Sequence, residues 1–443
     1  MAAPAEAART MIGRAMKPHD NPAAQPEELK NELSAAGSSQ AASPQENTMA
    51  QKSLTPIRRV VTGHDENGKS KVTWDGPAPG MHEVSMGAGR GHIDFWIWNE
   101  SPAPLSGPHD DGNLTYDFPG PPTGGHLRVV QGVGREPAYD AATDPHLVPP
   151  HPIKEHPLGR RWDRGGTTSH SGGMHKTATV DYAILLDGER TLVLDDGEVK
   201  WSPGDIVIDV GAWHQWKSYG PEGGRVLYDM IAAEFVDGPD GLAQGNDKIM
   251  RGDNVKLPPG VKPARRIVCM DREPGKSCLV SDGPSPDVRV DPARPGYASQ
   301  RMWVTDGTPA KIVLETLHLP HSMEPPPNGS VLNVVTFPPD AAWKGHAGAR
   351  EVEAFFKSMG SPYASTYSPQ APHPYMQKTR TLEFGIVLEG ELVLVLDTQE
   401  VTVKKGDFIV QRGTNHAWSN RTGKPAVIAI ATHDGSFMGN IGI

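Results

Sequence analysis

Cysteine is almost absent from this chain of 443 residues; there are two, Cys269 and Cys278. Two thiols cannot form a disulfide framework. One bridge across the turn between them is the most they allow, and a pair of reduced thiols is the simpler expectation. Aromatic residues are also few, at 6%. No apolar run approaches the roughly 18 residues that a membrane-spanning helix needs. Positive charge falls short as well: 43 Lys and Arg stand against 53 Asp and Glu, a net −10. Basic residues cluster no further than pairs such as Arg160-Arg161. Nucleic acid is therefore not expected as a partner, because phosphate binding requires grouped Lys and Arg. No nucleotide loop and no Gly-x-Ser-x-Gly nucleophile elbow is expected, so neither a nucleotide cofactor nor serine-hydrolase chemistry fits.

What the chain does contain is a repeat. Met174-His175-Lys176-Thr177-Ala178-Thr179-Val180-Asp181, followed by Gly188, Pro203-Gly204-Asp205, Gly211, His214 and Trp216, recurs 202 residues later. The second copy reads Met376-Gln377-Lys378-Thr379-Arg380-Thr381-Leu382-Glu383, then Gly390, Lys405-Gly406-Asp407, Gly413, His416 and Trp418. Upstream the offset is 207: Arg58-Arg59 matches Arg265-Arg266, Gly68-Lys69-Ser70 matches Gly275-Lys276-Ser277, and Trp96 matches Trp303. Offsets that change by a few residues indicate loop insertions between shared elements. Repeats this long and this few indicate a duplicated domain and exclude a solenoid. The expected units are 54–237 and 264–443, joined by a Gly/Pro/Asp-rich linker, 238–263.

Residues 1–53 are rich in Ala, Ser, Pro, Gln and Glu. They cannot bury enough apolar surface to offset ordering entropy and are expected to form a disordered tail. Met49 offers a second start just before the repeat. The tail lacks the apolar core of a secretion signal, so a cytoplasmic location is expected.

Short alternating runs, such as Ile206-Val207-Ile208-Asp209-Val210, lie between Gly, Asp and Pro turns. They predict an all-β fold of sandwich or barrel type. One helix is expected, Arg350 to Met359, with Val352, Phe355, Phe356 and Met359 facing inward and Gly360 ending it.

The spacing His-x-Thr-x3-Asp-x6-Gly, then Pro-Gly-Asp-x5-Gly-x2-His, resembles the two motifs of the cupin superfamily, and both units carry it. The resemblance is to a tandem bicupin, more narrowly to fungal cupin-type oxidoreductases of polyketide pathways. It implies two tandem jelly-roll β-barrels with an internal pocket. It further implies a metal site in the first unit, with His175, Asp181 and His214 at three ligand positions and Thr177 at the fourth. Two imidazoles and a carboxylate suit Fe(II), with Mn, Zn or Ni as alternatives. Asp181 is one methylene shorter than the family's usual Glu. In the second unit Gln377 replaces the first His, leaving Glu383 and His416 as an acid–base pair or as part of a structural unit. Thr177, Trp216, Gln377, Thr379 and Trp418 are expected to line the pockets, with packing the plainer role for the tryptophans.

The expected activity is metal-dependent oxygenation or decarboxylation of a small organic acid or a phenolic, polyketide-like compound. The alternatives are a metal-free isomerase or cyclase and a non-catalytic small-molecule binder. Partners other than a small molecule are not expected beyond a homodimer through the barrels. Arg58-Arg59 and Arg265-Arg266 are candidates for salt bridges between the units. Residues 145–173, with His151, His156 and His170, read as a loop near a barrel mouth.

Overall fold

The computed structural model describes residues 54–437, apart from 84–89, 108–109, 115–118 and 246–247. The expected N-terminal tail lies outside the described residues. Among those described there are two nine-stranded sheets, three small three-stranded sheets and one α-helix. No described helix is long and apolar enough to cross a membrane.

The two large sheets exchange strands. One runs through Asp287–Val290, Ala298–Thr305, Ser330–Phe337, Ala426–Ser436, Thr381–Glu389 and Phe408–Arg412, and then continues into Arg58–His64 and Ser70–Pro77 from the first repeat. The other runs through Gly80–His82, Gly91–Trp98, Gly125–Gly132, Gly224–Glu234, Thr179–Gly188 and Ile206–Val210, and ends in Arg265–Glu273 and Lys276–Pro284 from the second. The crossing contacts are parallel and equivalent: Val60 pairs with Ile409, and Ile267 with Val207. Units contiguous in sequence are thus interleaved in space.

Paired arginines hold both junctions. Arg58 bridges Asp75 and Asp407, each at 2.7 Å, and Arg265 bridges Asp282 and Asp205 at the same distances. Arg59 and Arg266 turn inward, fully buried, about 6 Å above Trp96 and Trp303. These tryptophans pack in the core at equivalent positions of the two repeats.

Strand alternation explains the layers, because successive side chains point to opposite faces. Val180, Tyr182 and Ile184 face the other sheet and meet Leu382, Phe384 and Ile386 in a shared central core. Ala183 and Leu185 face the opposite way, into the first barrel, with Val207 and the exchanged Ile267 and Cys269. The second barrel is filled by Leu392, Leu394, Ile409 and the exchanged Val60. Small sheets, Arg190–Leu194 with Gly197–Trp201 and Gln215–Lys217, and Glu391–Leu396 with Glu400–Lys404 and His416–Ser419, close the barrels.

The helix spans Ala349–Ser358, and its Val352, Phe355 and Phe356 pack into the second barrel. In the first unit the 145–173 segment contributes Lys154–Glu155 and Arg161–Asp163 to a small sheet that His175–Thr177 completes. Both cysteines are free, Cys269 buried and Cys278 partly so.

One sequence expectation needs correction. Residues 63–70 do spell a nucleotide-loop pattern, Gly63-x4-Gly68-Lys69-Ser70. The structure puts them in the turn and flanks of an antiparallel hairpin, with no helix following to present its N-terminus to a phosphate. Ser70 is also spoken for: its N–H and hydroxyl both donate to Asp397.

The motif glycines before His214 and His416 are sterically required. Gly211 and Gly413 have φ of 59° and 61°. A Cβ there would sit 2.3 Å from Phe235 and 2.6 Å from Phe437.

Lys176, the residue between His175 and Thr177, is fully buried. It donates to Asp271 of the exchanged strand at 2.8 Å and to the linker carbonyl of Gly241 at 3.0 Å. Breaking a buried pair from one side costs about 3–5 kcal/mol. Lys176→Met should therefore lower the urea unfolding free energy by about that much, and Lys176→Met/Asp271→Leu should recover part of it. A single variant as stable as the parent would contradict the role given to this pair.

Candidate functional site

Inside the first barrel a row of side chains crosses the large sheet. Asp181 lies opposite Met230 on one side and Asp209 on the other; His126 follows Met230, and Cys269 of the second repeat follows Asp209. Alternation turns Asp181 inward, since Val180 and Tyr182 occupy the outer face.

His175 and His214 stand above this row on neighbouring chain segments joined by reciprocal backbone hydrogen bonds, their rings 4.3 Å apart. Nδ1 of His175 lies 2.7 Å from the Gly173 carbonyl oxygen. Nδ1 of His214 lies 2.9 Å from that of Ala212 and 2.6 Å from the Asp209 carboxylate. Carbonyl oxygens only accept, so both Nδ1 atoms carry the proton, and in the neutral rings Nε2 is left as the lone-pair nitrogen. Anchoring of this kind is what orients a metal-binding imidazole.

The charges follow from burial. His175 is held well below its usual value by burial and then by neighbouring His214, so it is neutral. Burial pulls His214 down too, but the charge and hydrogen bond of Asp209 outweigh it and the net shift is upward. Asp181 is pushed up to about 8 by burial, then by the neighbouring charge of Asp209. One oxygen of Asp181 and the hydroxyl of Thr177 are buried without a hydrogen-bond partner. Trp216 is partly buried and packs against Trp201, His214 and Tyr228, with ring centroids 5.2–5.5 Å apart.

The second barrel places Gln377, Thr379, Glu383 and Trp418 around one cavity. The hydroxyls of Thr379 and Thr381 donate to Glu383 at 3.1 and 2.8 Å. His416 Nδ1 is again fixed to a backbone carbonyl, that of Thr414, at 2.9 Å. Its Nε2 accepts from the Gln377 amide at 3.2 Å and lies 3.9 Å from Glu383. The amide thus occupies the nitrogen that a metal would use.

Sequence reasoning missed one group. His82, His92 and Asp94 bring their ligand atoms within 4.8 Å of one another, a spacing that could hold a metal ion. His175, Asp181 and His214 do not form such a group. His82 and His92 face each other across an edge hairpin with stacked rings 4.6 Å apart, and their Nε2 atoms are 3.3 and 3.6 Å from the same Asp94 oxygen. Arg128 holds the other Asp94 oxygen at 2.8 Å. Burial raises Asp94, but the His92 hydrogen bond and the Arg128 charge prevail and bring it to about 2. The signal was the alternation His92-x-Asp94, which puts both on one face; His82 could be added only once the hairpin register was known.

Residues 365–432 match the family profile described as a cupin domain. The chain carries a cupin domain. Among curated relatives, it is 52% identical over 48 residues to a phomopsin biosynthesis cluster protein of Diaporthe leptostromiformis, which covers 11% of this chain and 25% of that one. It is 26% identical over 189 residues to a cupin-domain-containing oxidoreductase of Aspergillus ruber, covering 41% and 76% respectively. The first of these relatives is thus matched over only a quarter of its own length. Among solved structures, a protein of unknown function from Pseudomonas syringae pv. tomato aligns with 85% of this chain and 100% of its own, at 12% identity and a TM-score of 0.31.

The raised Asp181 in the first barrel gives a signed pH effect for metal-free protein. Between its ordinary 3.8 and about 8, the folded state keeps a proton that the unfolded state releases. Stability is therefore favoured at the acid end and falls as pH rises through this window. Asp181→Asn removes that fall. The gap in urea midpoint between variant and parent should grow in the variant's favour from about pH 5 to about pH 8. Parallel pH profiles in chelator-treated protein would rule the shift out.

Proposed function

We propose that the chain is a metal-dependent cupin oxidoreductase of oxygenase or decarboxylase type, acting on a small organic acid or a phenolic, polyketide-like compound. The observation that carries this reading is the pair of buried imidazoles, His175 and His214. Their Nδ1 atoms are tied to backbone carbonyls, which leaves Nε2 as the nitrogen to offer a ligand, and Thr177 and Asp181 each carry a buried oxygen without a hydrogen-bond partner. In chemistry this donor set fits a first-row divalent ion. Iron(II), when bound, supplies redox chemistry with dioxygen and open coordination positions. The protein's part is to orient the two rings, keep bulk water out, and hold one proton on Asp181. The oxidoreductase name of the Aspergillus ruber relative supports the reaction class.

A second reading, metal-free proton transfer, is favoured by the same Asp181. A buried carboxyl held neutral near pH 7 next to a histidine is a candidate general acid. In that case His175 would only position the substrate.

Metal content per chain on anaerobically purified protein separates the two readings. The expected result is about one iron or similar ion, lost in His175→Ala/His214→Ala and retained in His82→Ala/His92→Ala. Loss only in the latter pair would move the centre to the edge hairpin. No metal in the parent, even after reconstitution with Fe(II), would sink the metal-dependent reading and leave proton transfer.

A further inference from the structure

The hairpin at one edge of the first repeat's sheet, Gly80–His82 with Gly91–Trp98, carries a side-chain cluster that the proposed chemistry does not use. His82 and His92 pair directly across it, and Asp94 follows His92 by two residues on the same face. The ligand atoms of the three all lie within 4.8 Å of one another.

The distances fit one ion. Ligand atoms held about 2.0–2.2 Å from a tetrahedral ion stand about 3.3–3.6 Å from each other, the edge length of that tetrahedron. Nε2 of His82 is 3.3 Å and Nε2 of His92 is 3.6 Å from the same Asp94 oxygen. Charge-assisted hydrogen bonds close to about 2.7–2.9 Å. The observed separations are too long for that and match two edges of a coordination shell. The third edge, imidazole to imidazole, is no longer than 4.8 Å, and the His82 side chain, 49% exposed, can swing to shorten it. Arg128 fixes the other Asp94 oxygen at 2.8 Å. That is the outer support a ligating carboxylate needs, and the nearby charge tempers affinity for a cation.

The second repeat shows what a cation could do here. Its matching hairpin, Asp287–Val290 with Ala298–Thr305, lies 207 residues further on, with Arg289 and Arg301 in place of His82 and Asp94. Both pair with Asp287, at 3.8 and 2.6 Å, so fixed cations clamp a carboxylate across that sheet edge. A divalent ion between His82, His92 and Asp94 would clamp the first hairpin in the same way. Two imidazoles and one carboxylate select a borderline ion such as Zn²⁺ over Mg²⁺ or Ca²⁺, which prefer oxygen. Three protein ligands leave a fourth position for water, and with Arg128 close by the ion is exchangeable.

We propose that His82, His92 and Asp94 form a zinc-type divalent cation site that clamps the edge hairpin of the first repeat. The site uses none of the motif residues His175, Asp181 and His214, and it stands whether or not they hold a metal.

The test is titration calorimetry with Zn²⁺ on the chelator-treated full chain in a His175→Ala/His214→Ala background, which takes the first barrel out of the count. A single saturable site is expected. His82→Asn and His92→Asn should each weaken it at least about tenfold. Zn²⁺ should also raise the urea midpoint of the background by more than that of its His82→Asn version. No Zn²⁺ binding up to about 1 mM, or binding unchanged by His82→Asn, would overturn the proposal and leave the reading of the first barrel untouched. If the background variant fails to fold, the parent and His82→Asn are titrated side by side. The variant should then lose one site, and identical profiles would overturn the proposal.

Discussion

The parallel pairing of Val60 with Ile409 and of Ile267 with Val207 is the contact on which the rest of this architecture depends. Through it each repeat lends two strands to the sheet of the other, and neither barrel is complete without the partner repeat. The junction is guarded by charge and by packing. Arg58 and Arg265 each grip two carboxylates, one on their own hairpin and one on the other repeat. The outer faces of both sheets are then buried against each other, which explains why strands such as Thr179–Gly188 are apolar on both sides.

The exchange also reaches the site. Cys269 extends the row of Asp181 and Asp209, and Asp271 anchors Lys176, the residue between the two motif positions His175 and Thr177. Side chains from the second repeat therefore shape the chemistry of the first barrel. The buried acidic pair raises Asp181, and Asp209 in turn raises His214, so protonation is shared across a network.

The two barrels have diverged on one skeleton. The same histidine, fixed through Nδ1 in both, faces a second imidazole in the first barrel and an amide in the second. Where the first unit has the 145–173 segment, the second has a helix whose Phe355 helps to enclose Arg294. One interior collects imidazoles and carboxylates, and the other collects rings around a cation.

Much was legible in the chain itself. Period-two alternation and paired turns marked the strands, equal offsets marked the duplication, and the helix expected over Arg350 to Met359 stood out by its four inward residues. These features depend on local geometry, which neighbours in sequence suffice to specify. Other features depend on register and on distant partners. Strand exchange could not be read because a strand's own sequence does not say which sheet edge it joins. The hairpin bringing His82 to His92, the burial of Lys176 against Asp271, and the enclosure of Arg294 by Tyr297, Phe355 and Tyr375 were settled the same way. The sequence by itself determined the β-repeat and its motif side chains. Only the tertiary structure decided which of them meet and what charge they carry, because burial and proximity arise when segments far apart in the chain pack together.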